Sequence, residues 1–205
     1  AGVETQRFFD ELWRDRDPWA LEESELDQRR YERQLELLAD RRYGRALEIG
    51  CAGGSFTRRL EGLCETILAV DVAAAAIARA QAVSTPGNAA VEYRQVNVMD
   101  LDLEGEGTWD LVVLTETAYY LGWQYPMFDV AWLAHTLYAA TRPGGRLLLA
   151  NSISRDEGIM SRWLIDTYRD LIRNVGFEIE HEETLRGIKE TVEFEIPISL
   201  FSRPG

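Results

Sequence analysis

The chain of 205 residues lacks several features that mark secreted, membrane-embedded and metal-binding proteins. Its two cysteines and two histidines are too few for a disulfide framework and show no metal-ligand spacing. No apolar run reaches the roughly 20 residues that a membrane-spanning helix needs, and the first residues show no secretory signal. These absences predict a reduced, cytoplasmic protein with no metal and no membrane partner.

Basic residues are also scarce, because 22 Lys and Arg stand against 35 Asp and Glu and give a formal charge of −13. Such a charge repels phosphate and disfavours a nucleic-acid partner. The remaining composition, 46% hydrophobic and 28% charged, is that of an ordinary globular protein. The length suits a single α/β domain.

Along the chain, helix-like and strand-like patterns alternate in the way that is typical of a parallel sheet. Two helices, over about 4–14 and 25–39, precede the first strand, and Ser24 resembles the N-cap of the second helix. The pattern then predicts seven strands, over 46–49, 66–71, 91–96, 110–115, 146–150, 177–185 and 191–201, with helices over 55–63, 73–83, 126–140 and 157–174. The last two strands have a short connection, so the final one should be antiparallel. The prediction is an α/β fold with helices on both faces of a seven-stranded sheet.

The most informative segment is 47–57, in which a strand enters a turn of small residues and then a helix. Small residues at Gly50, Ala52 and Gly54 let a ligand approach the main chain. Asp71 ends the next strand about 20 residues later, where a carboxylate can accept both hydroxyls of a ribose. This combination predicts a bound adenosine-like group.

Two other interpretations of the turn stay open. Tight packing of a strand against a helix selects glycine without any ligand. A dinucleotide fingerprint needs glycine at its first, third and sixth positions, but here these are Gly50, Ala52 and Ser55. A nicotinamide-dependent oxidoreductase is therefore a weaker alternative, and the chain also lacks a Tyr-x-x-x-Lys pair.

From residue 45 onward the chain resembles the class I S-adenosylmethionine-dependent methyltransferases. Their E/D-x-G-x-G-x-G turn is matched by Glu48, Gly50, Ala52 and Gly54, with alanine in place of the middle glycine. Within that superfamily the chain is similar to the nodulation protein S group of N-methyltransferases. The residues that carry the similarity are Asp17-Pro18-Trp19, Tyr31-Glu32-Arg33, Leu47 to Ala52, Phe56-Thr57, Glu116 and Tyr119-Tyr120-Leu121.

The resemblance implies a Rossmann-like core over 44–205, an N-terminal helical lid over 1–43, and S-adenosyl-L-methionine as the cofactor. Cofactor contacts are then expected at Trp19, Tyr31, Glu48, Gly50, Cys51, Ala52, Gly54, Asp71, Val72, Asn97, Val98, Met99 and Thr115. The family usually has aspartate where this chain has Asn97. An asparagine carbonyl can still accept a hydrogen bond from adenine, but without the added strength of a charge.

Methyl transfer is an in-line displacement at a carbon attached to a sulfonium, so it depends chiefly on positioning. Glu116, at the end of the 110–115 strand, is the carboxylate expected beside the methyl group, where it can orient or deprotonate an amine. A structural role, as the cap of the following turn, stays open. Tyr119 and Tyr120 complete the predicted catalytic set. The aromatic loop that they begin suits either sugar rings or packing against the lid.

The predicted function is S-adenosylmethionine-dependent methyl transfer to a small acceptor, most simply an amino group of a sugar or oligosaccharide. The nodulation protein S group implies this acceptor, because its members methylate the amine of a deacetylated chitin oligosaccharide. One alternative is an O-methyltransferase of secondary metabolism. The other is a cofactor-binding interaction protein without catalysis.

Overall fold

The protein is described by a computed structural model over residues 2–85, 87–154 and 160–205. It consists of two compact units, Ala1–Leu101 and Asp102–Gly205. In the part of the chain that the structure describes, no helix combines the length and the apolar character needed to cross a membrane.

The described residues of the first unit form three strands and four α-helices. In chain order these are α1 (Gly2–Trp13), α2 (Glu25–Leu38), β1 (Tyr43–Ile49), α3 (Ser55–Leu60), β2 (Cys64–Asp71), α4 (Ala74–Val83) and β3 (Ala90–Gln95), followed by a short 3₁₀ turn over Val98–Asp100.

The strands of this unit form a parallel ladder in the order β3-β2-β1, with Leu47 opposite Leu68 and Ile67 opposite Val91. The central parts of β1 and β2 are apolar and buried, as expected for strands that are covered on both faces. The predicted N-cap of α2 is confirmed, because Ser24 Oγ accepts the Asp27 amide at 3.3 Å.

In the second unit, the residues that the structure describes form five strands and three helices. In chain order these are β4 (Trp109–Thr115), α5 (Ala118–Gln124), α6 (Met127–Ala140), β5 (Thr141–Ala150), β6 (Ile153–Ser154), α7 (Arg162–Asn174), β7 (Glu178–Lys189) and β8 (Val192–Ser202).

In this unit β4 and β5 are parallel and pair Thr115 with Ala150, so their carboxyl ends are level. Strand β8 is antiparallel to β5 and to β6. It is also antiparallel to β7, and these two strands form a long hairpin. The α/β class and the antiparallel last strand are therefore confirmed.

Three details differ from the sequence-based prediction. The described residues contain eight strands rather than seven, because β8 extends past the end of β5 and pairs there with the two residues of β6. Helix α5 was not predicted, since its seven residues are too few to show a helical period. The turn expected at 143–145 lies within β5, where the pairing with β4 jumps from Thr141 to Arg146.

Two expectations remain outside what the structure tests. The start of the last helix, expected at about Glu157, lies outside the described residues, and the described helix begins at Arg162. The division into a lid over 1–43 and a core over 44–205 stays a prediction.

Candidate functional site

The turn between β1 and α3 is the centre of the candidate site in the first unit. Gly50, Ala52 and Gly54 have φ values of 78°, 51° and 78°, in the left-handed region. Glycine adopts this conformation readily, whereas the alanine at 52 adopts it at a cost of about 1–2 kcal/mol. The amides of Gly50 and Cys51 donate to the carbonyl of Val70 at 2.8 and 3.0 Å, which fastens the turn to β2.

Asp71, the last residue of β2, binds the same turn through its carboxylate. Its Oδ2 accepts the Ala52 amide at 2.9 Å, and its Oδ1 accepts the Ala73 amide at 2.9 Å. Burial raises the pKa of Asp71, and these backbone hydrogen bonds oppose the rise. A carboxylate offers about four acceptor positions, so Asp71 can hold the turn and also accept from a ribose.

Glu48 and Cys51 are both buried, at 3% exposure each. Thr57 donates its hydroxyl to Glu48 Oε2 at 2.6 Å. Desolvation raises the pKa of Glu48 to about 8, although the Thr57 hydrogen bond works against the rise. Burial and the neighbouring charges of Asp71 and Glu48 likewise raise the pKa of the Cys51 thiol. The structure therefore places Glu48 in the interior, bonded to α3, and a direct ligand contact by it stays a prediction.

The segment predicted to receive adenine follows β3. Asn97 is partly buried, and its Oδ1 accepts the Met99 amide at 3.1 Å, which caps the 3₁₀ turn. An amide oxygen has two lone pairs, so this bond is compatible with a second one to a ligand. Val98 is buried, and Val72, after β2, is partly buried with its carbonyl accepting from Gln95 at 3.3 Å.

The predicted aromatic lid residues, Trp19 and Tyr31, lie in different surroundings. Tyr31 is buried on α2, and its ring stacks on Phe56 of α3 with centroids 5.3 Å apart. Trp19 is partly buried, and its ring packs edge-on against Trp13 at 5.4 Å. The Trp13 ring lies 3.4 Å from the point where a Cβ on Gly53 would stand. Trp13, which was not in the predicted set, is thus an aromatic residue in contact with the glycine turn.

Sequence reasoning also missed the charged contacts that join the segment before α2 to α3. Ser55 donates its hydroxyl to Glu22 Oε1 at 2.6 Å, Arg59 lies 3.3 Å from Oε2, and Arg58 pairs with the same carboxylate. Partial burial raises the pKa of Glu22, but these hydrogen bonds and charges lower it below its ordinary value. The adjacent arginines in a short helix were the available signal.

In the second unit, Glu116 follows β4 and has a left-handed φ of 53°. Its Oε1 accepts both the amide and the hydroxyl of Ser152, at 2.9 and 2.8 Å. Its Oε2 accepts the Tyr119 hydroxyl at 2.9 Å. Two residues predicted to be catalytic are therefore in contact, together with a serine that was not predicted.

The aromatic loop predicted to begin at Tyr119 is helical up to Gln124, because α5 spans Ala118–Gln124. The rings of Tyr119 and Tyr120 meet edge to face, with centroids 4.6 Å apart. Desolvation and the charge of Glu116 raise the pKa of Tyr120 to about 12, although Tyr119 lowers it. Tyr120 is therefore a neutral hydroxyl at ordinary pH. Trp123, at the end of α5, is 54% exposed.

The turn after Glu116 has its own cap. The amides of Thr117 and Ala118 donate to Asn151 Oδ1, at 3.1 and 3.0 Å. Asn151 therefore has the capping role that was the structural alternative for Glu116. We refer to Glu116, Tyr119, Asn151 and Ser152 as the Glu116 cluster.

Asn151 and Ser152 had a signal in the sequence that was not used. They directly follow β5, whose Ala150 lies opposite Thr115 in the parallel ladder. Carboxyl ends of parallel strands meet at one edge, where ligands of α/β proteins bind. Polar residues after β5 are therefore expected next to those after β4.

The two histidines lie outside the Glu116 cluster. His181, on β7, has its Nε2 2.9 Å from Glu183 Oε2, and the ring of His135 packs against Trp132 on α6. Over residues 2–85, 87–154 and 160–205, no group of three or more histidine, cysteine or acidic side chains is arranged to hold a metal ion.

Comparison with known proteins gives a consistent assignment. The family model described as Nodulation protein S (NodS) matches residues 4–155. Nodulation protein S of Azorhizobium caulinodans is 35% identical over 107 residues, which are 52% of this chain and 50% of that protein. The protein of the same name from Bradyrhizobium diazoefficiens is 32% identical over 153 residues, or 72% of this chain and 66% of that protein. The matches thus span about half to two thirds of these relatives.

The fold has a counterpart among solved structures. The crystal structure of N-methyltransferase NodS from Bradyrhizobium japonicum WM9, in complex with S-adenosyl-L-homocysteine, superimposes with a TM-score of 0.81 at 22% identity. The match covers 98% of this chain and 99% of that one. The likeness confirms the Rossmann-like fold that was expected. Because the family model matches well over half of the residues, the chain belongs to the Nodulation protein S (NodS) family.

Proposed function

We propose that this protein is an S-adenosylmethionine-dependent N-methyltransferase. Its acceptor in this proposal is a small molecule with a free amino group, such as an amino sugar or an oligosaccharide that carries one. The observation that carries the proposal is the turn at 50–54, in which Gly50, Ala52 and Gly54 have left-handed φ values. The Ala52 amide in this turn donates to the Asp71 carboxylate. Membership of the NodS family and the likeness to an N-methyltransferase support it.

The residues of the first unit fit an adenosine-containing cofactor. Asp71 offers carboxylate oxygens to ribose hydroxyls, and the Asn97 carbonyl offers an acceptor to the amino group of adenine. The small residues of the turn leave the main chain accessible. When bound, S-adenosylmethionine supplies a methyl group attached to a positively charged sulfur.

Glu116 is proposed to accept a proton from the acceptor amine. An ammonium group has no lone pair, so it must lose a proton before it can attack carbon. The proton goes to a Glu116 carboxylate oxygen, the nitrogen lone pair forms the bond to the methyl carbon, and the electron pair of the broken carbon–sulfur bond goes to sulfur. Tyr119 and Ser152 hold this carboxylate through hydrogen bonds to both of its oxygens.

The cofactor is tested by calorimetric titration with S-adenosylmethionine, S-adenosylhomocysteine and the two nicotinamide dinucleotides in parallel. We expect binding of the first two alone. Binding of a dinucleotide, or of none of the four, would contradict the proposal.

The acceptor class is tested with a deacetylated chitin oligosaccharide and, as a matched control, its fully N-acetylated form. The nitrogen of the acetylated form shares its lone pair with a carbonyl, so we expect methylated product only from the free amine. A phenol and a carboxylic acid complete the set, because product from these alone would indicate an O-methyltransferase. Cofactor binding with no product from any acceptor would favour the non-catalytic alternative.

Glu116→Gln tests the proton acceptor. Loss of a general base lowers turnover by about 10²–10⁴-fold, and cofactor affinity should stay unchanged. A variant with the turnover of the wild type across the pH range would remove Glu116 from the mechanism.

A further inference from the structure

Glu116 has a backbone conformation that a glutamate does not adopt without strain. Its φ of 53° lies in the left-handed region, where non-glycine residues are uncommon. Such residues persist when the surrounding structure holds them in place, and they concentrate at functional sites. The hydrogen bonds around Glu116 therefore show which residues hold it there.

Ser152 binds the side chain of Glu116. Its amide and its hydroxyl both donate to the same carboxylate oxygen, Oε1, at 2.9 and 2.8 Å. Ser152 is itself buried, at 7% exposure. Hydrogen bonds to an ionised carboxylate are among the strong ones, and two of them from one rigid residue fix the direction of the carboxylate group.

Asn151 binds the backbone that follows Glu116. Its Oδ1 accepts from the amides of Thr117 and Ala118, and its side chain is fully buried. These bonds hold the chain where it leaves the strained residue and enters α5. Two adjacent residues after β5 thus bind the same segment, Asn151 through the backbone after Glu116 and Ser152 through the Glu116 side chain.

We propose that Asn151 and Ser152 are positioning residues for methyl transfer. They hold Glu116 in its strained backbone conformation and aim its carboxylate at the acceptor amine. Neither residue contacts the reacting atoms in this proposal, so both act through Glu116. The inference rests on the proposed function, because it assigns Glu116 the role of proton acceptor.

The chain offers a matched control in Ser199 on β8. Ser199 is buried to 5% exposure, and its hydroxyl lies 3.5 Å from a carboxylate oxygen of Glu182. Ser199→Ala therefore removes a buried serine hydroxyl near a glutamate in the same unit, but outside the Glu116 cluster. It controls for the general effect of such a deletion.

The kinetic test compares the wild type with Ser152→Ala, Ser152→Thr, Asn151→Ala and Ser199→Ala. We expect Ser152→Ala and Asn151→Ala to lower kcat at least tenfold, with the acceptor KM and the cofactor Kd changed less than twofold. Ser152→Thr keeps a hydroxyl and should recover most of kcat, and Ser199→Ala should match the wild type. If Ser152→Ala keeps kcat, or if Ser199→Ala loses as much, the inference is overturned.

A double-mutant cycle tests the same contact without an acceptor. Urea unfolding of Glu116→Ala, Ser152→Ala and the double variant is compared with that of the wild type. The double variant should lose less unfolding free energy than the sum of the two single losses, because both single changes remove the same interaction. Additive losses would overturn the inference even if no acceptor is found. An acceptor screen without product would count against the proposed function instead, so the two failures are distinguishable.

Discussion

The glycine turn of the first unit and the Glu116 cluster of the second are built by different means. The turn is shaped by its backbone, with left-handed residues at 50, 52 and 54 and amides bound to Val70 and Asp71. The cluster is shaped by side chains that follow two separate strands: Tyr119 and Ser152 bind the Glu116 carboxylate, and Asn151 binds the backbone after it.

This difference explains why the turn is recognisable as a motif in the sequence and the contacts of the Glu116 cluster are not. A backbone-built turn needs small residues at fixed spacing, so it leaves a motif. A side-chain cluster needs only donors and acceptors that the fold brings together, and the two segments that supply them here are more than 30 residues apart.

The largest effect on stability is expected at Glu48, the buried glutamate two residues before Gly50. Below about pH 4.5 it is protonated in both the folded and the unfolded chain and has no effect on stability. Burial raises the folded-state pKa of Glu48 to about 8, so between pH 4.5 and 8 the carboxyl ionises in the unfolded chain but not in the folded one. The free energy of unfolding therefore falls over this range and stays constant above it. Glu48→Gln should remove a penalty on the order of 4 kcal/mol at pH 9.

The measurement is urea unfolding of both proteins between pH 5 and pH 9. Glu65→Gln, at an exposed position of β2, is the control for loss of one negative charge. Parallel pH profiles for Glu48→Gln and the wild type would show that Glu48 does not carry this penalty.

A smaller effect is expected from the backbone of the turn. Gly54→Ala forces a side chain onto a φ of 78° and places a Cβ 3.0 Å from the Tyr93 hydroxyl and 3.1 Å from Ala80. Strain and overpacking together should lower the free energy of unfolding by about 3 kcal/mol. The control is Gly53→Ala, because its Cβ would make ordinary contact with Trp13. Equal losses from both variants would contradict the role given to backbone conformation.

Asp71→Ala should weaken S-adenosylmethionine binding by roughly 1–3 kcal/mol, or about 5–150-fold in Kd. The substitution removes both the proposed ribose contact and the acceptor of the Ala52 and Ala73 amides. Calorimetry against Asp40→Ala, an exposed aspartate of the same unit outside the expected cofactor contacts, measures the effect. An unchanged Kd would rule out the ribose contact.

The smallest expected effect comes from two of the non-glycine residues with positive φ, Ala52 in the turn and Glu116 in the cluster. Ala52→Gly relieves strain without removing a side-chain hydrogen bond, so it should stabilise the protein by about 0.5–1 kcal/mol. Glu116→Gly relieves the same strain but removes three hydrogen bonds, so it should destabilise by about 1–2 kcal/mol. The free energy of unfolding of each variant is measured in urea. Changes of the same sign in Ala52→Gly and Glu116→Gly would contradict the contrast between the two regions.

The sequence by itself determined the class of fold and the glycine turn. Alternating apolar segments predicted the parallel strands, Ser24 marked the start of α2, and the spacing from Gly50 to Asp71 marked the strand ends. These features are local or periodic, so short-range rules reach them. The short helix α5 and the two-residue strand β6 escaped, because neither is long enough to show a period.

Only the tertiary structure decided what Glu116 touches. The sequence identified Glu116, Tyr119 and Tyr120 as candidates and left open whether the glutamate caps a turn. The pairing of β4 with β5 brings Asn151 and Ser152 to the end of β4, so that Asn151 caps the turn and Ser152 binds the carboxylate. The register between two strands is set by the burial of the apolar residues along both of them. The residues around Asn151 and Ser152 in the sequence therefore do not show which residues of another strand will lie next to them.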